Sequence, residues 1–137
     1  MTIFRRGESG DLAEIAAIQA ASPEATQWDV AGYLPYQILV AVSGGRIAGF
    51  LVARPADDRE CDLLNLAVAP AYRRQGIGRG LVRALLESRQ GAIFLEVRES
   101  NQAARSLYRS LGFQEVSVRF QYYYSPLESA IVMKFYS

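Results

Sequence analysis

The chain has 137 residues, half of them apolar and 21% charged, a composition that fits one globular domain with an ordinary core. Fifteen basic residues against fourteen acidic ones leave a formal charge of +1, so there is no general attraction to nucleic acid or to an anionic membrane. There is no histidine and a single cysteine, Cys61. Ser-His and Cys-His triads, the usual zinc sites and an intrachain disulfide are thereby excluded.

Residues 2–6 predict a short strand. Asp11 followed by Glu14 resembles a capping box and predicts a helix through about Ala21, with Leu12, Ile15, Ala16 and Ile18 on its apolar face. Ser22-Pro23 is a second start signal, for a short helix that ends before Pro35 and carries Trp28 as a packing residue. "YQILVAVSGGRIAGFLVARP" reads as a hairpin about Gly44-Gly45. "CDLLNLAVAP" is a further strand, closed by Pro70.

From Gly76 to about Ser88 the period becomes helical. "AIFLEVRE" is a strand, and Asn101 caps a helix that carries Ala104, Leu107, Tyr108 and Leu111 and stops at Gly112. "QEVSVRFQYYY" and "SAIVMKFY" are two last strands with a turn at Ser125-Pro126. The order is β-α-α-β-β-β-α-β-α-β-β in a single domain, 1–137. The βαβ unit from Leu63 to Val97 makes its two strands parallel, so a mixed α/β (α+β) sheet of six to seven strands with about four helices is expected. The N-terminal MTIFRRGESG lacks a signal-peptide core and no apolar run reaches spanning length, which predicts a soluble cytoplasmic protein.

"LNLAVAPAYRRQGIGRG", residues 64–80, sets glycines and arginines at the start of a helix. The free amides and positive dipole of such a start accept a polyanion, and Gly76 and Gly78 let a ligand approach the backbone. A plain strand-to-helix turn with a solvated basic rim explains the stretch equally well. A P-loop is excluded because Gly78 is followed by Arg79-Gly80, and the dinucleotide fingerprint fails because its third glycine position holds Leu81.

Arg73-Arg74-Gln75-Gly76-Ile77-Gly78 does match the Arg/Gln-x-x-Gly-x-Gly/Ala signature of the GNAT acetyltransferases, and the chain resembles that superfamily. Leu-Glu-Val-Arg-x-Ser-Asn at 95–101, Leu-Tyr-x-Ser-Leu-Gly-Phe at 107–113 and Arg-x-x-Tyr-Tyr at 119–123 are similar to its RimI-like branch, the bacterial ribosomal-protein-alanine N-acetyltransferases. Residues 63–124 carry the close match, whereas the N-terminal half agrees only in its order of elements. The resemblance implies the GNAT fold and acetyl-CoA as co-substrate, with no metal. The main chain of Leu66, Ala67 and Val68 would meet the pantetheine arm, and the Val68 N–H would polarise the thioester carbonyl. Arg73, Arg74, Gln75, Gly76, Ile77, Gly78 and Arg79 would cradle the pyrophosphate, and Asn101 would touch the cofactor.

Acetyl transfer to an amine needs a base for the amine, a donor for the developing oxyanion and a proton for the leaving sulfur. The resemblance gives Glu96 the role of proton acceptor; the alternative is a structural pair with Arg98 or another arginine. It makes Tyr108 the acid, where an ordinary core tyrosine is the alternative. Tyr122 and Tyr123 either wall the acceptor groove or cover the sheet edge, and the resemblance favours the groove. The implied partners are acetyl-CoA and a protein N-terminus, ribosomal in that branch, with neither nucleic acid nor membrane. A small amine or a lysine as acceptor, and a non-catalytic CoA-binding module, are the competing readings. The family's acidic residue just before the last strand is replaced here by Ser129, in a shortened segment.

Overall fold

The computed structural model describes residues 1–57, 59–124 and 127–136. Seven strands form one mixed sheet: β1 (Thr2–Arg6), β2 (Gln37–Ser43), β3 (Arg46–Asp57), β4 (Glu60–Val68), β5 (Ala92–Arg98), β6 (Gln114–Tyr123) and β7 (Glu128–Tyr136), in spatial order β1-β2-β3-β4-β5-β7-β6. Three α-helices accompany it: α1 (Leu12–Ala20), α2 (Ile77–Ser88) and α3 (Gln102–Ser110). The expected strands are all present, and β4–α2–β5 is the parallel unit. The Ser125-Pro126 turn lies outside the described residues.

The sheet carries a core on each face. Leu81, Val82 and Leu85 of α2 and Tyr108 of α3 pack with Leu51, Leu63, Leu95 and Met133 on one side. Ile15 and Ile18 of α1 pack with Tyr33, Val40, Phe50 and Val52 on the other. Gly49 allows α2 to lie close on β3, since a Cβ there would come within 3.0 Å of the Ala67 carbonyl and 3.1 Å of Ile77. That contact sets the start of α2 beside the end of β4.

Two expectations are corrected. The capping box falls one turn early: Asp11 accepts from the Glu8 amide at 2.8 Å, while Glu14 accepts from the Ile47 amide at 2.9 Å and ties α1 to β3. The helix expected after Ser22-Pro23 does not form; only a 3-10 turn at Val30–Tyr33 appears, so there are three α-helices rather than about four. Side-chain bonds, some from far along the chain, take the backbone groups that a helix would have used. Asn65 accepts from the Thr26 amide and donates to the Thr26 carbonyl, while Gln27 donates to the carbonyls of Gln19, Ser22 and Ala25. Trp28 is therefore 52% exposed instead of packed.

Candidate active site

The site is a gap in the sheet. β4 and β5 pair from Glu60↔Ala92 to Leu63↔Leu95, after which Leu64–Val68 and Glu96–Arg98 diverge. The pairing stops at a bulge: Val52 faces Asn65 and Ala53 faces Leu63, so Leu64 is the extra residue. A bulge bends and twists its strand, and this one turns the end of β4 away from β5. Asn65, 5% exposed, holds it from inside. Its Nδ2 donates to Gln19 Oε1 at 3.0 Å and to Tyr33 Oη at 3.1 Å, and its Oδ1 accepts from the Leu66 amide at 3.1 Å.

The edge of β4 that faces the gap follows from strand alternation. The Ala69 amide donates to the Ala48 carbonyl at 2.8 Å, so Ala67 also pairs toward β3 while the main-chain groups of Leu66 and Val68 point into the gap. Of the three expected rail residues, Leu66 and Val68 turn main-chain groups toward the gap; the Leu66 amide is taken by Asn65 Oδ1 and the Val68 carbonyl by Arg73 Nε, which leaves the Leu66 carbonyl and the Val68 amide on that edge. Ala67 is turned away, with its side chain in the α1 core.

Arg74 and Gly76 adopt left-handed backbone, φ 63° and 79°, and fold the loop back onto the start of α2. Gly76 is the N-cap and has no side chain to satisfy the first amides. At Gly78 a Cβ would have only Leu107 and Val68 near it, both at 3.7 Å, so open space lies over this turn beside α3 and β4. This cradle of free amides with Arg74 and Arg79 suits a pyrophosphate, and the adjoining rail suits an amide-bearing arm, so the residues present fit acetyl-CoA. The expected contributors differ in availability. Ile77 is buried in the core, and Gln75 donates to the Ala71 carbonyl at 3.4 Å. Arg73 clamps two elements together: its Nε donates to the Val68 carbonyl at 3.1 Å and its Nη2 to Ser22 Oγ at 3.2 Å.

Glu96 and Tyr108 stand on opposite faces of the gap. Ile93, Leu95 and Val97 of β5 point into the α2–α3 core, so Glu96 points to the other face. The α1 layer lies over β3 and β4, and Phe94, Glu96, Arg98 and Val132 beyond it stay partly or largely exposed. Tyr108 is 6% exposed, with its ring edge-on to Phe113 at 5.5 Å. Burial pushes its phenol well above the usual tyrosine range. No described residue bonds the Tyr108 hydroxyl, yet the described side chains leave no enclosed polar oxygen without a partner, so the hydroxyl reaches an opening of the core. Asn101 caps α3, its Oδ1 accepting from the Ala104 amide at 3.2 Å.

The Glu96 side is lined by charge and aromatic rings. Arg119 Nη1 donates to Glu96 Oε1 at 2.6 Å, and its guanidinium lies 4.0 Å from the centre of the Tyr122 ring. Tyr122 meets Tyr123 edge-on at 5.1 Å. Arg98 sits 4.3 Å over Tyr123 and donates to Glu128 Oε1 at 3.2 Å. Burial, with Glu96 and Tyr122 nearby, pushes the Tyr123 phenol up to about 12. Glu96 thus lies on the diverging end of β5 and is paired with an arginine other than Arg98, as the structural alternative allowed. The sequence does not single out Arg119 or Glu128 as site residues. Arg119 is marked only by its place at the head of Arg-x-x-Tyr-Tyr, and Glu128 stands one residue before Ser129, the position that is acidic in the family.

A family model described as the acetyltransferase (GNAT) family matches residues 11–113. The chain is 40% identical over 107 residues to the [ribosomal protein bS18]-alanine N-acetyltransferase of Escherichia coli (strain K12), covering 74% of this chain and 70% of that protein. It is 45% identical over 87 residues to the N-alpha-acetyltransferase RimI of Mycobacterium tuberculosis, covering 61% of this chain and 55% of that protein. The crystal structure of the ribosomal-protein-S18-alanine N-acetyltransferase from Escherichia coli aligns with TM-score 0.87 and 34% identity over 98% of this chain and 93% of that one. A splayed sheet with a glycine-rich anion cradle and a match of this extent have one meaning: the chain belongs to the GNAT acetyltransferase family, enzymes that take acetyl-CoA as co-substrate.

Proposed function

We propose that the enzyme acetylates the N-terminal α-amine of a protein that begins with alanine, by direct attack of the amine within a ternary complex. Acetyl-CoA supplies an activated thioester. Leu66 and Val68 hold its arm by main-chain bonds, and the Val68 N–H faces the carbonyl oxygen on which negative charge develops. Arg74, Gly76, Gly78 and Arg79 hold the anionic end.

The α-amine arrives on the opposite face, where Glu96 removes its surplus proton. An α-amino group has a pKa of about 8 against about 10.4 for a lysine side chain, so a carboxylate deprotonates it with less penalty at neutral pH. Tyr108 Oη supplies the proton required at the leaving sulfur, and the second proton that the nitrogen releases as the tetrahedral intermediate collapses returns through solvent to the phenolate. Tyr122 and Tyr123 wall the acceptor groove.

The observation that carries this reading is the separation of Glu96 and Tyr108 on the two faces of one gap, which gives donor and acceptor separate entrances. The alanine start is taken from the relatives, whose names specify alanine on a ribosomal protein. The test is acetyl-CoA turnover on peptides that begin with alanine, on blocked peptides with an internal lysine and on small amines. Turnover confined to small amines or lysine overturns the proposed acceptor.

A further inference from the structure

Glu96 has an arginine two residues away on its own face, Arg98, yet its 2.6 Å bond comes from Arg119, on a strand beyond β7. The sheet register explains how. Arg98 and Arg119 both face Ala130 across β7, whose small side chain leaves the space above that strand free for long side chains. Each arginine then has its own carboxylate and its own ring: Arg98 has Glu128 and Tyr123, and Arg119 has Glu96 and Tyr122.

We propose that Arg119 is a positioning residue: stacked on Tyr122, it fixes Glu96 Oε1 and leaves Oε2 as the atom that takes the proton from the acceptor. This rests on the reading of Glu96 as proton acceptor. Among the described residues Oε2 accepts no hydrogen bond, while a one-pronged bond to Oε1 still restricts the carboxylate's rotation. Tyr122 is 42% exposed and lies on the acceptor side, so a peptide seated against it also presses on the guanidinium that orients the base. The acceptor wall and the base are thereby one mechanical unit.

Steady-state kinetics with an Ala-start peptide, together with acetyl-CoA titration, test this on Arg119→Gln, Arg119→Lys, Tyr122→Leu, Arg119→Gln/Tyr122→Leu and Glu96→Gln. Arg119→Gln is expected to lower kcat by about tenfold or more, with acetyl-CoA Kd unchanged within about twofold. Arg119→Lys recovers part of the loss, because an ammonium still reaches Oε1 but cannot lie flat on the ring. Tyr122→Leu lowers kcat less, and the double variant is no worse than Arg119→Gln alone. An unchanged or raised kcat in Arg119→Gln overturns the proposal, as does additive loss in the double variant or a loss confined to acetyl-CoA binding. If Arg119→Gln is poorly folded, Arg119→Lys and Tyr122→Leu decide by the same criteria. Full activity in Glu96→Gln removes the underlying reading instead, whereas an inactive Glu96→Gln beside a fully active Arg119→Gln removes this proposal alone.

Discussion

Asn65 Nδ2 donates to Tyr33 Oη at 3.1 Å, joining the bulge of β4 to the segment that replaces the expected second helix. Gln19 completes the triangle, with its Oε1 accepting from both Asn65 and Tyr33 Oη, the latter at 2.6 Å. Asparagine suits this place because its amide donates and accepts at once. It meets the needs of a bulge, a helix and a loop at a buried position. Asn65→Ala keeps the Tyr33–Gln19 bond but removes one bond each from Gln19 Oε1 and Tyr33 Oη and leaves the Thr26 and Leu66 backbone groups without Asn65, and should cost about 2–4 kcal/mol. The bulge sets the direction of the Leu66 carbonyl and the Val68 amide, so acetyl-CoA should also bind more weakly. Chemical denaturation and titration of the same variant measure both. An unchanged affinity in a destabilised protein would separate the network from the rail.

Gly76 and Gly78 are predicted to fail in different ways. Gly76 has φ 79°, where a Cβ is strained, so Gly76→Ala should lose about 1 kcal/mol of stability. Gly78 lies in ordinary helical backbone with room for a Cβ, so Gly78→Ala should keep or slightly raise the melting temperature. Its methyl would project into the space proposed for the pyrophosphate, and acetyl-CoA is expected to bind about tenfold more weakly, or about 1.4 kcal/mol. Calorimetry of melting and of binding distinguishes the two, and a Gly78→Ala protein that binds normally would mean the ligand does not approach this backbone.

The strands and helices around the proposed donor site are legible in the sequence because their signals are local. The Gly44-Gly45 turn has φ 58° and 77°, as a tight hairpin needs, and Asn101 caps the helix it was expected to cap. What was illegible depended on distant partners. Ser22-Pro23 is a valid helix start, but Asn65, nearly forty residues on, claims the Thr26 backbone groups. Arg73 belongs to the family signature, yet Ser22 and the Val68 carbonyl occupy its guanidinium. Glu96 invited pairing with an arginine, but only the spatial strand order, with β7 between β5 and β6, identifies Arg119 as the partner.

Acid should destabilise the fold below the ordinary carboxylate range. Bonds from Ser100, with Arg98 behind them, hold the Glu128 carboxyl below the ordinary glutamate value of 4.5. Arg105 and Arg109 do the same for Glu115, and Arg5 for Asp11. A depressed folded value means that the unfolded chain binds protons first. The stability from these groups is complete above about pH 4.5 and drains away as pH falls through their folded values. Melting temperature against pH should therefore drop below that point, and Glu128→Gln should flatten part of the slope. A slope identical in Glu128→Gln and the parent would remove Glu128 from the account.

Tyr108→Phe isolates chemistry from folding. The hydroxyl has no described partner, so its removal deletes no internal hydrogen bond and the ring can keep its 5.5 Å contact with Phe113. Stability should change by less than about 1 kcal/mol. Burial holds the phenol above its ordinary range, so the O–H stays intact wherever the enzyme is folded and active. The proton is thus present when the sulfur leaves, and its loss should lower kcat by about a hundredfold while acetyl-CoA still binds. The sign of the shift also predicts the pH profile. A raised phenol does not ionise at mildly alkaline pH, so kcat of the parent should show no descending limb owed to Tyr108 between about pH 8 and 10. A descending limb in that window that vanishes in Tyr108→Phe would mean the phenol ionises far lower than its burial dictates. A Tyr108→Phe enzyme with parental kcat would take the proton donor away from this helix altogether, leaving the leaving sulfur to be protonated from solvent.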